Sequence, residues 1–262
     1  MSWERTIGRV AFINCEPLFH GLDNSWSVIP APPSWLTGHL LRRDCIIAPI
    51  PAADYARHCD ELALVPDLAI SSKGEVGSVL LFSHKSLSSI NTIALPTDST
   101  TSVTLLKHLM KSKGFTPEYH EMGPDLQTML NTCDACLLIG DRSLEAATEN
   151  PSLVKMDLGA EWKNLTGHPM VFGVFATRRD SPLSIVKQAH AVLLEQLESF
   201  ENNSAIRQEV INISREKTSQ SIERLERYFG EVINRMDAED LAGLDAFLME
   251  ACGSADKLQM AW

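Results

Sequence analysis

The chain has 262 residues, 44% hydrophobic and 22% charged, which is ordinary globular usage and enough for one large domain or two medium ones. Its 34 acidic residues outnumber 23 Lys and Arg, and the formal charge of −11 argues against a nucleic-acid or anionic-membrane partner. Charges interrupt the opening MSWERTIGRV where an export signal needs an apolar core, and no apolar run is long enough for a bilayer, so a cytoplasmic location is expected.

Strand-like and helix-like segments alternate, which predicts an α/β fold with a mostly parallel sheet. The opening run IGRVAFINCEPLFHGL, residues 7–22, reads as a strand ending near Asn14, then a turn and a helix opened by Pro17. Ligands of open α/β sheets bind beyond the carboxyl ends of strands, so Asn14 is a candidate for a cleft mouth. By residue type alone it is more often a turn residue. Residues 26–31 predict a second strand and 34–43 a helix. CIIAPI, residues 45–50, predicts a strand covered on both faces, and Pro51 opens a helix to about residue 58.

Strands are predicted at 62–66 and 79–82, with Ser78 at the entrance of the second, where serine is ordinarily a turn residue. The Ser-rich LFSHKSLSSI that follows suggests a domain crossover. Residues 92–95 restart the βα pattern and lead into TDSTTS and an amphipathic helix ended by Gly114. Ser99, Thr100, Thr101 and Ser102 exceed what one N-cap needs. A hydroxyl-rich helix start offers amide donors and a favourable dipole to a carboxylate or phosphate.

A strand at 117–122, a helix near 126–131 and a strand at 135–139 come next. The last ends in Gly140 and Asp141 at the cleft edge, where Asp141 is also suited to cap a helix over 142–147. A strand at 153–157 and a short helix at 160–165 precede the turn Gly167-His168-Pro169. His168 is the histidine to watch as an acid or base. An apolar strand at 171–177 then carries the chain back to the first domain. Helices are predicted at 182–201, 204–214, 219–228 (from a capping-box pattern at Ser219) and 238–252. A short edge strand falls within 230–235, and the tail GSADKLQMAW reads as loosely held.

Six cysteines sit mostly beside apolar residues, and the C-x-x-C of Cys133 and Cys136 lacks the second pair of a zinc site. No G-x-S-x-G elbow, P-loop, G-x-G-x-x-G fingerprint or H-E-x-x-H occurs. That leaves pure binding, or an elimination or isomerisation of a reactive small molecule.

Five motifs occur in order: IGRV-x-x-IN-x-x-PL-x-x-GL, EVGSVLLFS, TDSTTS, LLIGD and DLG-x-EW-x-x-LTG-x-P-x-VF-x-VFA. Together they make residues 7–252 resemble the menaquinone-biosynthetic MqnA/MqnD family, on its chorismate dehydratase (MqnA) side. The sister branch opens with a Ser-Pro-Cys-Pro-Asn-Asp-like stretch where this chain has Ile13-Asn14-Cys15-Glu16-Pro17-Leu18. His168, Met170 and Gly173-Val174-Phe175 depart from the family's more apolar or aromatic pattern.

The resemblance implies a two-lobed fold like type 2 periplasmic binding proteins, with a central ligand cleft. Residues 1–91 and 172–262 would form the larger lobe, and 92–171 the smaller inserted one. It implies no metal and no organic cofactor, and a small anionic substrate, chorismate, dehydrated to 3-[(1-carboxyvinyl)oxy]benzoate in the futalosine route. Asn14 and Ser78 match the family's catalytic positions. Ser99, Thr100, Thr101, Ser102, Gly140, Asp141 and His168 are the expected substrate-binding residues. The alternatives are the sister 1,4-dihydroxy-6-naphthoate synthase and a non-catalytic cytosolic carboxylate-binding protein. Oligomeric state stays open, a homodimer being one option.

Overall fold

In the computed structural model, which describes residues 2–262, the first half of the chain alternates strands and helices in short steps. These are β1 (Thr6–Val10), α1 (Glu16–Phe19), β2 (Ser27–Ala31), α2 (Pro33–Leu41), β3 (Ala48–Pro51), α3 (Ala52–Arg57) and β4 (Leu62–Ser72). There follow β5 (Val79–Ser83), β6 (Thr92–Pro96), α4 (Thr100–Ser112), β7 (Glu118–Met122), α5 (Leu126–Thr132) and β8 (Ala135–Ile139). Then come α6 (Gly140–Glu149), β9 (Val154–Asp157), α7 (Leu158–Thr166) and β10 (Met170–Arg178). The chain closes with α8 (Leu183–Asn202), α9 (Ser204–Lys217), α10 (Ile222–Glu231), β11 (Ile233–Arg235) and α11 (Ala238–Glu250). Among the described residues no helix is long and apolar enough to cross a membrane.

Two main sheets form. One runs β11-β4-β10-β3 and is extended by the β1-β2 pair through a parallel bridge between Ile7 and Ile47. The other runs β7-β6-β8-β5-β9. The expectation of mostly parallel sheets is corrected. β10 is antiparallel to β3 and β4, β11 to β4, and β5 to β8 and β9. The chain passes between the sheets twice, and β5 and β10, the strands that follow each passage, enter their new sheets antiparallel to both neighbours.

The first passage lies at residues 73–78, not in the Ser-rich stretch after β5. Val79–Ser83 is buried at every position and paired along both edges to β8 and β9, so it belongs to the second sheet. A boundary between 91 and 92 therefore falls inside that sheet's connections.

β4 continues through Pro66, where the sequence predicts its end. Asp67 adopts a φ of 65°, and β4 shifts register against β10 between Val174 and Ala176, so the proline sits at an irregularity where a ladder donor is dispensable. β11 covers β4 only at Leu68 and Ser71. The C-terminal tail takes the edge further along. Leu64 N donates to Gln259 O at 2.7 Å, Ala261 N donates to Leu64 O at 2.9 Å, and Gln259 N donates to the Tyr55 hydroxyl at 2.9 Å. The tail is thus tied down, contrary to expectation. The helix expected from Ser219 begins at Ile222, capped by Ser221. The reciprocal capping box belongs to Asp237 and Asp240 at the start of α11. Cys133 and Cys136 are buried in the apolar layer on the second sheet with Phe82 and Met129, and burial pushes the Cys136 thiol up to about 12.

Both passages are fastened to α7 and its cap. The Asp157 carboxylate accepts from Val76 N at 3.1 Å, Gly77 N at 2.8 Å and Ala160 N at 3.0 Å, capping α7 and gathering the first passage at once. Gly159 allows the approach, since a Cβ there would lie 2.5 Å from Gly74 O and from Ser72 Oγ. Further along α7, the buried Trp162 donates from Nε1 to Pro169 O at 3.1 Å in the second passage. The DLG and EW motifs are accordingly the fastening of the two connections. Gly159→Ala should lower stability by about 1–3 kcal/mol through this backbone overlap, measured by urea unfolding.

Candidate functional site

A cavity with about 560 Å³ of empty space, its open mouth included, lies between the two sheets. Phe12, Ile50, Ile70, Phe172 and Val232 give it apolar walls. Its polar lining is Asn14, Ser78, Ser99, Thr101 and Ser102, and no lining side chain among the described residues is titratable.

Asn14 sits on the 3-10 turn Ile13–Cys15 directly after β1, buried, with its Oδ1 lacking a hydrogen-bond partner. A buried amide oxygen without a partner costs free energy unless something enters to donate to it. The turn itself is held from across the cleft. Ile13 N donates to both oxygens of Asp141, at 3.1 and 3.2 Å.

Asp141 therefore does not cap α6, whose N-cap is Ile139, and it is not part of the cavity lining. It binds the Asn14 turn instead. Loss of water around this partly buried carboxylate pushes its pKa up to about 6. The Ile13 amide opposes that shift, and Glu145 and Glu16 add to it. The nearby Glu16 is buried but paired with Arg9 and Lys217.

Ser78 closes the first passage and is buried. Its Oγ accepts from the Tyr228 hydroxyl at 3.1 Å, and its carbonyl accepts from Gly140 N at 2.8 Å. Gly140, at a φ of 64°, lines the cavity. A Cβ there would meet the Phe12 ring at 2.6 Å, so glycine lets Phe12 of the first lobe rest on the second. The Arg142 guanidinium lies 5.6 Å from the centre of the same ring and donates to Asp98 at 2.7 Å.

At the start of α4, Ser99 is the N-cap and accepts from Ser102 N at 3.4 Å. Thr101 Oγ1 accepts from Ala53 N at 3.1 Å, a second bond across the cleft. Ser102 also lines the cavity, whereas the half-buried Thr100 does not. Pro33 at the start of α2 and Gly140 at the start of α6 share the lining with α4, so three helix N-termini converge there with their positive dipole ends. Oriented amides and dipole ends of this kind are the donors by which helix N-termini hold anions without a basic side chain.

His168 does not join this group. It lies in the turn after α7, outside the lining, and its own N–H donates to Thr166 Oγ1 at 3.1 Å. The αL residue that stops α7, Gly167 at a φ of 77°, fixes the turn that holds it. Sequence reasoning missed Phe12, Asp157 and Tyr228. Phe12 and Asp157 sit inside quoted motifs, where an aromatic beside a strand end and an Asp before a helix were available signals. Tyr228 carried none beyond its place on a helix.

Two α/β lobes with a cavity of hydroxyls and helix N-termini between them define the periplasmic-binding-protein class of fold. Solved structures of that shape match nearly the whole chain. A protein from Archaeoglobus fulgidus matches with a TM-score of 0.77 at 20% identity, covering 95% of this chain and 97% of that one. The alkanesulfonate-binding protein SsuA from Xanthomonas axonopodis pv. citri, bound to MOPS, matches at 0.68 and 13% identity, covering 98% and 95%.

Within that class, the sequence pattern of a family described as menaquinone biosynthesis matches residues 5–252, and the chain belongs to that family. It is 34% identical to a chorismate dehydratase of Thermus thermophilus over 192 residues, 67% of this chain and 70% of that one.

Asp141 holds its proton to about pH 6 in the folded chain but only to ~4 when unfolded. Its stabilising effect is fully present below pH ~4 and is lost as pH rises through about 6. Allowing for its partial exposure, the loss is about 2 kcal/mol. Asp141→Asn keeps an acceptor for Ile13 and should flatten this fall. Urea midpoints between pH 4 and pH 7, compared with those of the parent chain, measure it.

Proposed function

We propose that this protein is a chorismate dehydratase, a hydro-lyase converting chorismate to 3-[(1-carboxyvinyl)oxy]benzoate in the futalosine route of menaquinone biosynthesis. The observation that carries the reading is an interlobe cavity with a buried, unpartnered Asn14 Oδ1 and several hydroxyls, yet no titratable side chain in its lining among the described residues. Such a cavity suits a reaction whose base comes with the substrate. Family membership and the dehydratase relative support it.

Dehydration removes the ring proton at C3 and the hydroxyl at C4. The C3 proton is vinylogously acidic, because the ring carboxylate delocalises the developing charge. The electron pair of the C3–H bond becomes the third ring double bond as C4–O breaks, and the hydroxyl leaves as water. The substrate's own enolpyruvyl carboxylate takes the C3 proton and returns it to the departing C4 oxygen, so that one water leaves and the carboxylate is regenerated. Aromatisation supplies the driving force, so the protein's share is orientation and charge stabilisation.

In this mechanism the N-terminus of α4 holds the ring carboxylate through amides and the Ser99 and Ser102 hydroxyls, spreading the charge that develops there. Asn14 Oδ1 accepts from the C4 hydroxyl and its amide NH2 orients the side-chain carboxylate. Ser78 donates to the departing oxygen. The sister naphthoate synthase, read as needing a protein base at His168, is less compatible with a lining from which His168 is absent.

Incubation of the purified protein with chorismate, followed by chromatography of the aromatic product, tests the reading. Product formation is expected, and binding without conversion would leave a carboxylate-binding protein instead. Asn14→Ala should lower kcat at least ~100-fold, the scale of losing one transition-state hydrogen bond, with a cooperative melt retained. Near-parental turnover by that variant would remove Asn14 from the mechanism.

A further inference from the structure

We propose that Tyr228 is the positioning residue for Ser78: its phenol donates to Ser78 Oγ and leaves the serine's own proton directed at the cavity. The role rests on the dehydratase reading and assigns a part of the same site.

Tyr228 is fully buried on the inner face of α10, and Ser78 Oγ, at 3.1 Å, is the partner of its hydroxyl. A phenol is a stronger acid than an aliphatic alcohol, so in a pair of hydroxyls the tyrosine donates and the serine accepts. Ser78 then has one proton to place. The protein acceptor within reach is Val76 O at 3.5 Å, a long and weak bond. An oxygen bound in the cavity, where Ser78 is part of the lining, offers a better one. A serine that accepts one bond while donating another is a better donor than a serine alone, because consecutive hydrogen bonds polarise each other.

The fold holds this pair in register. Arg224, one helical turn before Tyr228, reaches Gly77 O at 3.5 Å, and its guanidinium lies 5.7 Å from the Tyr228 ring centre. Arg224 is itself paired with Glu231 at 2.9 Å. Two successive turns of α10 thus grip two successive residues of the passage between the lobes. Phe229 packs beside Tyr228 and against Phe200 of α8, with ring centres 5.8 and 5.4 Å apart. Burial raises the phenol's pKa well above its ordinary value, so the tyrosine stays protonated and remains a donor throughout the working pH range.

A double-mutant cycle on chorismate turnover tests this, using the parent chain, Tyr228→Phe, Ser78→Ala and both together. Tyr228→Phe deletes one oxygen and is expected to lower kcat about tenfold, roughly one neutral hydrogen bond, with KM changed less than about twofold. Ser78→Ala should lower kcat about 100-fold, and adding Tyr228→Phe to it should lower kcat no further. An additive cycle, or parental kcat in Tyr228→Phe, would overturn the role of Tyr228 while leaving the dehydratase reading intact. Absence of chorismate turnover in the parent chain would overturn that reading and this role with it. If Tyr228→Phe lost its cooperative melt, Ser78→Ala in the otherwise parental chain would carry the test, and parental kcat there would equally overturn the proposal.

Discussion

One carboxylate governs the geometry between the lobes. Asp157 accepts from the amides of Val76, Gly77 and Ala160, and hydrogen bonds to a charged group contribute about 1.5–3 kcal/mol each. The first two amides belong to the connection between the sheets and the third to the start of α7, so a helix cap and a hinge share a single acceptor. Loss of water around Asp157 raises its pKa, and the amides pull it back down. Trp162, on the same helix, ties the second connection through Pro169 O. Ser78, at the end of the first connection, inherits its position from this arrangement.

The second constraint is electrostatic. The chain is strongly acidic, yet the lining of its cavity carries no carboxylate. The solution is to keep carboxylates behind the wall and paired. Asp98 accepts from Arg142, Glu16 is held by Arg9 and Lys217, and Asp141 is spent on Ile13 N across the cleft. What faces the cavity is uncharged: hydroxyls, one amide and the N-terminal ends of helices. Partial charges of this kind are fixed in direction and need no counter-ion, which suits the charge movement of the proposed dehydration. The same Asp141 bond that compensates a partly buried carboxylate also holds the Asn14 turn, and with Thr101 bonded to Ala53 it draws the lobes together.

Much of the site was legible because its residues lie in local motifs at strand ends and helix starts. Asn14, Ser78, Ser99, Ser102 and Gly140 all reach the cavity, as strand-end and N-cap chemistry suggested. Asp141 and His168 show the limit of local reasoning. An Asp after a strand and before a helix reads as a cap, but its partner is 128 residues away at Ile13. His168 drew notice as the histidine in a Gly-Pro turn, and that turn serves the packing of Trp162 against Pro169 on the outside of the cavity. Pro66 read as a strand terminator, whereas an irregularity in the β4-β10 pairing absorbs it.

The sequence by itself determined the class of fold, most of the elements, the family and the hydroxyl-rich start of α4. Those follow from apolar periodicity, cap residues and motif order, which are properties of neighbouring residues. Only the tertiary structure decided that β5 belongs to the second sheet, that the tail finishes the edge of β4, and that Tyr228 meets Ser78 across 150 positions. Each of these is a choice of partner between segments distant in the chain, made by which edge was left unpaired and which buried polar atom still lacked a hydrogen bond.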